Sequence, residues 1–301
     1  MQNEDLDTYT KEEMNEKLLV VSVGTHTRLG DVLEFALAET DFETIDVEGF
    51  SRANHANRRV LFAVSTDATG ENPMLRTLTA NPRANALDRC ICAAIADGAS
   101  GGEAHLDMIR LLRAANAAGA SVIPKPLLES GRELRQFAHG KETPFVQYRM
   151  QARELVARLH VAQTESTKSP RVRFVSALEG GAAHDWREYL SRLIESKGGE
   201  LLDIGDADET ILLCENTDGL PNEKTLSLLT GSGKLRILLA SPTSGSELYA
   251  ACLIERACLR GDYLLPPRAV LVFDGMSAVE AMASKAEMKR VKGHLERGSQ
   301  V

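Results

Sequence analysis

The chain has 301 residues, of which 43% are hydrophobic and 26% are charged, a composition typical of a globular protein with a substantial core. Its formal net charge of -8 argues against a nucleic-acid-binding protein, because phosphate backbones are bound by basic surfaces. No apolar run reaches the length of about 18 residues that a membrane-spanning helix needs, and the polar residues 1–16 lack the features of a signal peptide. We therefore expect a cytoplasmic protein that does not bind membranes, and the length favours two domains.

Short apolar runs alternate with amphipathic segments throughout residues 17–162. The apolar runs predict strands, and the segments with apolar residues at helical spacing predict the helices between them. This alternation is typical of a parallel sheet that is covered by helices on both faces. The predicted strands are 17–24, 42–47, 58–66, 89–96 and 120–126, and the predicted helices are 27–40, 103–119 and 147–162.

A polar stretch that ends in proline, residues 163–170, predicts a linker, and the same pattern starts again after it. We therefore predict an α/β protein of two tandem doubly wound (flavodoxin-like) domains, residues 17–162 and 171–301, each with a five-stranded parallel sheet. Gene duplication would explain the shared plan, and so would similar packing requirements. The second half has predicted strands at 171–178, 200–204, 209–216, 234–242 and 268–275, and predicted helices at 184–199, 246–261 and 277–298.

The sequence lacks several motifs that would identify a reaction. TGSGK (230–234) begins like a phosphate-binding P-loop, but Lys234 is followed by leucine rather than serine or threonine. The histidines show no H-x-x-x-H spacing, so no metal site is predicted. The five cysteines have spacings that suit neither a disulfide framework nor zinc, and they are predicted to be buried thiols: Cys90, Cys92, Cys214, Cys252 and Cys258.

Residues 88–130 combine a strand, a polar loop, a helix that ends in RAANAAGA, and a short strand followed by PKPLLES. This run resembles the flavodoxin-like NAD(P)H-dependent FMN reductases, in which an asparagine–small–glycine turn ends the helix and prolines bracket the fifth strand. The resemblance extends over about residues 17–160 and implies the strand order 2-1-3-4-5, with the ligand at the carboxyl ends of the strands. The matching positions are Asn116, Gly119, Pro124, Pro126 and Glu129.

The same resemblance implies an FMN site that is built from three strand-end loops, with NAD(P)H as the hydride donor and a homodimer as the assembly. The first loop would hold the FMN phosphate, and the other two loops would flank the flavin ring. No catalytic residue is assigned. The implied cofactor-binding residues are Thr25, His26, Thr27, Arg28, Thr66, Asp67, Thr69, Asp97, Gly98 and Ser100.

Two further interpretations stay open from the sequence. The three loops contain no aromatic residue to stack on a flavin, and Ser100 with Glu103 forms the pattern of a helix capping box. The alternative function is therefore a non-catalytic tandem α/β ligand-binding or assembly protein with a degenerate flavin site. A third possibility is a small-molecule ligand such as a nucleotide or sugar phosphate at loop 241–247, whose hydroxyl groups precede a helix, although Glu247 would also satisfy the helix dipole there.

Overall fold

The computed structural model describes residues 15–24, 28–65, 78, 87–97, 102–128, 143–162, 169–178, 180–203 and 205–297. These residues form two parallel β-sheets, one from each half of the chain. None of the helices they contain is long and apolar enough to cross a membrane. The predicted linker lies mostly outside the described residues, so the domain boundaries stay a prediction.

The first half begins with the elements β1 Asn15–Val23, α1 Arg28–Ala36, β2 Phe42–Asp46, α2 Val47–Arg52, β3 Arg58–Ser65, β4 Ile91–Asp97, α3 Gly102–Ala117, β5 Ser121–Val122, β6 Leu127–Leu128 and α4 Thr143–Val161. Their sheet has the order β2-β1-β3-β4-β5, with β6 also beside β4, which is the doubly wound order 2-1-3-4-5. The predicted fifth strand is divided because Pro124 and Pro126 cannot donate ladder hydrogen bonds.

The second half repeats this plan with β7 Arg171–Ser176, α5 Gly181–Glu195, β8 Glu200–Leu202, β9 Glu209–Glu215, α6 Glu223–Ser227, β10 Gly231–Ser241, α7 Ser246–Arg260, β11 Gly261–Leu264, β12 Val270–Asp274, α8 Ala278–Ala283 and α9 Lys285–Arg297. Its sheet has the order β11-β10-β9-β7-β8, with β12 also beside β10. The predicted tandem doubly wound architecture is therefore confirmed. Strand β11 was not predicted, and the predicted terminal helix is two helices that meet at Ser284.

The two sheets meet edge to edge at the junction between the halves. Val122 of β5 and Leu265, which follows β11, exchange backbone hydrogen bonds of 2.9 and 3.0 Å as an antiparallel pair. On one face of the sheets, α3 packs against α7, and buried side chains of both halves form one continuous apolar core. On the opposite face each half has its own core. The continuous apolar core shared by the two halves therefore lies on one face of the sheets.

Asn116 is the main polar anchor of this junction. Its side chain is 3% exposed, and its Nδ2 donates to the carbonyl oxygens of Pro266 at 2.7 Å and Ala120 at 2.9 Å. Its Oδ1 accepts the backbone N–H of Ala269 at 2.8 Å. A buried amide with all these partners is costly to remove. The asparagine that carried the family resemblance therefore holds the second half of the chain in place.

Candidate functional site

The predicted FMN site falls largely on residues that the structure does not describe. Eight of the ten predicted residues lie outside the described ranges: Thr25, His26, Thr27, Thr66, Asp67, Thr69, Gly98 and Ser100. Arg28 is the first residue of α1, and Asp97 is the last residue of β4.

Asp97 is the predicted site residue whose contacts the structure describes in most detail. Asp97 is 8% exposed, and its Oδ2 accepts the backbone N–H of Leu29 in the first turn of α1 at 3.1 Å. A helix N-terminus binds anions through its free N–H groups and its positive dipole end. The Asp97 carboxylate thus accepts one N–H at the start of α1, and the phosphate position predicted at Thr25–Thr27 lies outside the described residues.

The carboxyl end of the second sheet was the other predicted ligand position, and its polar side chains form hydrogen bonds with the backbone of the same loops. Asn216 is fully buried, and its Oδ1 accepts the N–H of Gly219 at 2.9 Å. Ser241 Oγ donates to the carbonyl oxygen of Thr243 at 2.8 Å, and Thr243 Oγ1 donates to that of Asn216 at 3.2 Å. We call this set, Asn216, Ser241 and Thr243, the carboxyl-edge network. These hydrogen bonds hold loops 216–219 and 241–243 in place.

Helix starts at the same edge are also occupied by side chains of the protein. Glu215 Oε2 accepts the backbone N–H of Ala278 in the first turn of α8 at 2.8 Å. Ser277 and Glu280 complete a capping box at that helix. Glu247, in the first turn of α7, is paired with Arg113 of the first half. At both places, a carboxylate of the protein itself accepts a backbone N–H at the start of a helix: Asp97 at α1 and Glu215 at α8.

A groove of about 550 Å³ lies on the opposite side of the junction. We call it the junction groove. The first half contributes Ile123 and the C-terminal end of α4, and the second half contributes loop 207–208 and the starts of β10 and β11. Its volume falls in the range of ligand sites, about 300–1,000 Å³. A second cavity of about 280 Å³ between α1 and α4 falls below that range.

Four charged side chains line the junction groove, two of each sign. Arg158 of α4 and Asp262 of β11 form an ion pair that joins the two halves. Lys234 and Asp208 belong to the wall formed by the second half. Asp208 is held in position because its Oδ2 accepts the backbone N–H of Arg171 at 2.8 Å.

Lys234 is partly enclosed by its neighbours. Burial lowers the pKa of its ammonium group, and the nearby carboxylates of Glu209 and Asp208 oppose that shift. Glu209 is engaged behind the groove by the buried Arg236, whose Nε lies 2.6 Å from Glu209 Oε1. Asp208 is therefore the carboxylate that shares the groove with Lys234.

The glycines of TGSGK shape this wall rather than bind a phosphate. Gly233 has φ +91°, and a Cβ at this position would lie 2.8 Å from the carbonyl oxygen of Asp208. Gly231, with φ +139°, would bring a Cβ within 2.9 Å of the Arg173 guanidinium. Larger residues would push loop 207–208 and Arg173 away from β10, so glycine is required for packing.

Comparison with known proteins gives distant structural matches. No protein-family model and no curated protein matches the chain. A solved structure of tagatose-6-phosphate ketose/aldose isomerase from Escherichia coli is 14% identical, covers 94% of this chain and 84% of its own, and has a TM-score of 0.27. A Clostridium novyi protein assigned to the same isomerase type is 15% identical, with 94% and 79% coverage and a TM-score of 0.24. The PH0520 protein from Pyrococcus horikoshii is 16% identical, with 93% and 91% coverage and a TM-score of 0.18.

These matches give no support to an FMN reductase, and that prediction is wrong. Two of the structures named above are described as ketose/aldose isomerases, not flavin oxidoreductases. The alternative of a degenerate flavin site is set aside with it. Asn116, on which the resemblance depended, has a structural role at the junction. At these TM-scores the isomerase matches do not assign an activity to this chain.

The sequence reasoning missed the junction groove entirely. Arg158, Asp262 and Asp208 lie far apart in the sequence, on α4, β11 and the loop before β9. None of them belongs to a recognisable motif. The usable signal was Lys234, which follows two glycines where no turn was predicted. Glycines at such a position indicate a close approach of another segment.

Proposed function

We propose that this chain is a small-molecule-binding protein whose ligand occupies the junction groove. The single observation that carries the proposal is the groove itself, which has a volume of about 550 Å³ and walls from both halves of the chain. Ligand sites are commonly found where two structural units meet, with an apolar floor and a few polar groups. Here Val161 and Leu264 supply apolar surface, while Arg158 and Lys234 supply polar groups.

The contrast with the rest of the junction supports a binding role for the groove. The α3–α7 side is filled by a continuous apolar core and by the Asn116 hydrogen bonds. The groove side keeps an open volume instead, bordered by an ion pair from α4 to β11. A ligand that fills it would contact both halves and stabilise the folded chain by mass action.

The test is a thermal-shift screen of small metabolites that spans acids, amines, amino acids, sugars, sugar phosphates and nucleotides. A ligand of the groove raises the melting temperature of the wild-type protein and has no effect on Ala207→Trp, because the indole fills the groove. Ala286→Trp is the matched control, since Ala286 is exposed on α9 and does not line the groove. Absence of any hit, or hits that Ala207→Trp retains, would refute the proposal.

A cytoplasmic location and a homodimer belong to the same proposal. The described cysteines Cys90, Cys92, Cys214 and Cys252 are free thiols, which suits a reducing compartment. Light scattering on the purified protein tests the dimer, and a single species at the monomer mass would exclude it.

A further inference from the structure

Helix α4 carries apolar side chains on the side that faces the solvent. A helix that covers one face of a sheet usually has charged and polar residues on its outer side. Among the described residues, however, three of the seven large hydrophobic side chains that are exposed belong to α4: Val146 at 54%, Met150 at 46% and Val161 at 75%. A concentration of this kind indicates a surface that another molecule covers.

These side chains lie along one line of the helix, together with the exposed Ala157. At 3.6 residues per turn, the four residues fall within about 60° of one another around the helix axis. We call this set, Val146, Met150, Ala157 and Val161, the α4 stripe. The buried residues of α4 lie on the opposite side of the helix and pack in the core of the first half: Tyr148, Ala152, Leu155 and Leu159.

The spacing of the α4 stripe is the same from either end. Its members are separated by four, seven and four residues. A second α4 helix that runs antiparallel can therefore match the stripe along its whole length. Val146 then lies level with Val161 of the second copy, and Met150 lies level with Ala157 of the second copy. A large side chain thus faces a small one, which allows two helices to approach closely.

Two residues of opposite charge, Arg153 and Glu154, lie at the midpoint of the α4 stripe. In the antiparallel arrangement, Arg153 lies level with Glu154 of the second copy. In a parallel arrangement, each residue would lie level with its own copy, so like charges would meet. Charged residues beside an apolar seam set the orientation of helix pairs in this way. Charge complementarity therefore favours a second copy of the chain, in antiparallel orientation, as the partner.

Arg153 also has a partner within its own chain. It pairs with Glu39 at 3.0 Å, and the two side chains are 48% and 82% exposed. An ion pair with this exposure is weak. A guanidinium group has five N–H donors, so Arg153 can bind Glu39 through Nη2 and still pair with a second carboxylate.

We propose that this chain forms a two-fold symmetric homodimer in which the α4 stripes of two copies pack antiparallel, with the axis between residues 153 and 154. A two-fold dimer uses the same surface on both copies, which is what the spacing of the stripe provides. This inference rests on the homodimer in the proposed function, because it names the surface through which the copies meet. Val161 also lines the junction groove, so the interface ends at the rim of that groove.

The experiment measures the dissociation constant of the dimer by analytical ultracentrifugation. Met150→Glu places a carboxylate in the apolar part of the stripe and should raise the dissociation constant at least about tenfold. Gln151→Glu is the matched control, because Gln151 is exposed on the same helix, outside the stripe, and undergoes the same change of amide or thioether to carboxylate. It should leave the dissociation constant within about threefold of the wild-type value. Circular dichroism and the melting temperature verify that both variants fold.

A charge exchange tests the antiparallel orientation. Arg153→Glu should raise the dissociation constant at least about fivefold, because the new carboxylate lies level with Glu154 of the second copy. Adding Glu154→Arg restores opposite charges between the copies and should recover the wild-type value. The double variant does not restore the ion pair with Glu39, so recovery assigns the effect to contacts between the two copies.

This inference and the proposed function fail in different ways. A monomeric wild-type protein overturns the α4 interface together with the homodimer, and the ligand proposal for the groove is still decided by the thermal-shift screen. A dimer that Met150→Glu leaves intact overturns the α4 interface alone. A double variant that dissociates as readily as Arg153→Glu overturns the antiparallel arrangement.

Discussion

The polar residues at the two ends of the second sheet have different surroundings. At the carboxyl end, Asn216, Ser241 and Thr243 form hydrogen bonds with the backbone of the same loops and leave a closed set of loops. Near the amino end, Lys234 and Asp208 border an open groove beside the first half. Ligands of doubly wound sheets usually bind at the carboxyl ends of the strands. In this chain the topology follows that rule, but the junction groove lies near the amino ends of β10 and β11.

Hydroxyl and amide groups at strand ends therefore do not by themselves indicate a ligand-binding site. Loops need internal hydrogen bonds wherever their backbone is buried, and serine, threonine and asparagine supply them. An unoccupied volume with groups of both signs is a stronger indication, because protein interiors are otherwise close-packed.

The largest effect is expected for Asn116→Ala, which tests whether the closed side of the junction holds the groove walls together. The substitution leaves the carbonyl oxygens of Pro266 and Ala120 and the N–H of Ala269 without their buried partner. We expect the free energy of unfolding to fall by about 3 kcal/mol. Chemical denaturation measures this loss. The exposed Asn54→Ala serves as the control, and an equal effect of both substitutions would contradict the role of Asn116.

Asn216→Ala tests the carboxyl edge. It removes the amide that accepts the N–H of Gly219 inside a fully buried position. We expect a loss of about 2 kcal/mol in the free energy of unfolding, while any ligand that binds in the junction groove keeps its affinity. Denaturation and calorimetry measure the two quantities. If the substitution weakened ligand binding more than folding, the carboxyl edge would have to be regarded as the ligand site.

Acid should destabilise the protein through His55, which lies in neither region. His55 stacks on Phe50 at a ring distance of 4.5 Å, and burial lowers the pKa of its imidazole below 6.5. The unfolded chain therefore takes up a proton first as the pH falls below 6.5, so stability is fully present above that pH and is lost below it.

We expect the free energy of unfolding to fall by at most about 1.4 kcal/mol for each pH unit, because the unfolded chain takes up one more proton than the folded chain. Denaturation curves recorded from pH 7.5 to pH 5, at intervals of about half a pH unit, measure this loss of stability. His55→Gln should reduce the dependence of the unfolding free energy on pH. A smaller dependence should remain because burial also lowers the pKa of His160. An unchanged slope in His55→Gln would contradict this assignment.

The smallest effects on stability are expected for the two exposed carboxylates that cross the junction. Asp262 is 69% exposed and pairs with Arg158 at the groove, and Glu247 is 82% exposed and pairs with Arg113 on the closed side. Asp262→Asn and Glu247→Gln should each change the free energy of unfolding by less than about 1 kcal/mol. Only Asp262→Asn should alter ligand affinity. Equal effects of both variants on binding would remove the distinction between the two sides.

The parallel sheets covered by helices could be predicted from the sequence because continuous apolar runs that alternate with helical segments have few packing solutions. The strand order 2-1-3-4-5 was implied by the family resemblance. The fifth strands were harder to predict. Pro124 and Pro126 divide the first one, and β11 is only four residues long, Gly261–Leu264. Such short segments have no periodicity to recognise, and they form because a neighbouring strand is already in place.

The candidate site could not be predicted, because it depends on how the halves meet. Arg158 and Asp262 become neighbours only when β5 and β11 pair through Val122 and Leu265. The sequence instead drew attention to Asp97, whose carboxylate proved to cap α1. Local patterns indicate turns and caps reliably, whereas a groove between two units is a property of the assembled fold.

The most direct test of the account is a crystallographic screen that soaks a chemically diverse fragment set into crystals of the wild-type protein. We predict that bound fragments concentrate in the junction groove between Arg158 and Lys234, and that the carboxyl-edge network at Asn216, Ser241 and Thr243 stays empty. Fragments that concentrate at loop 241–247 while the groove binds none would contradict it.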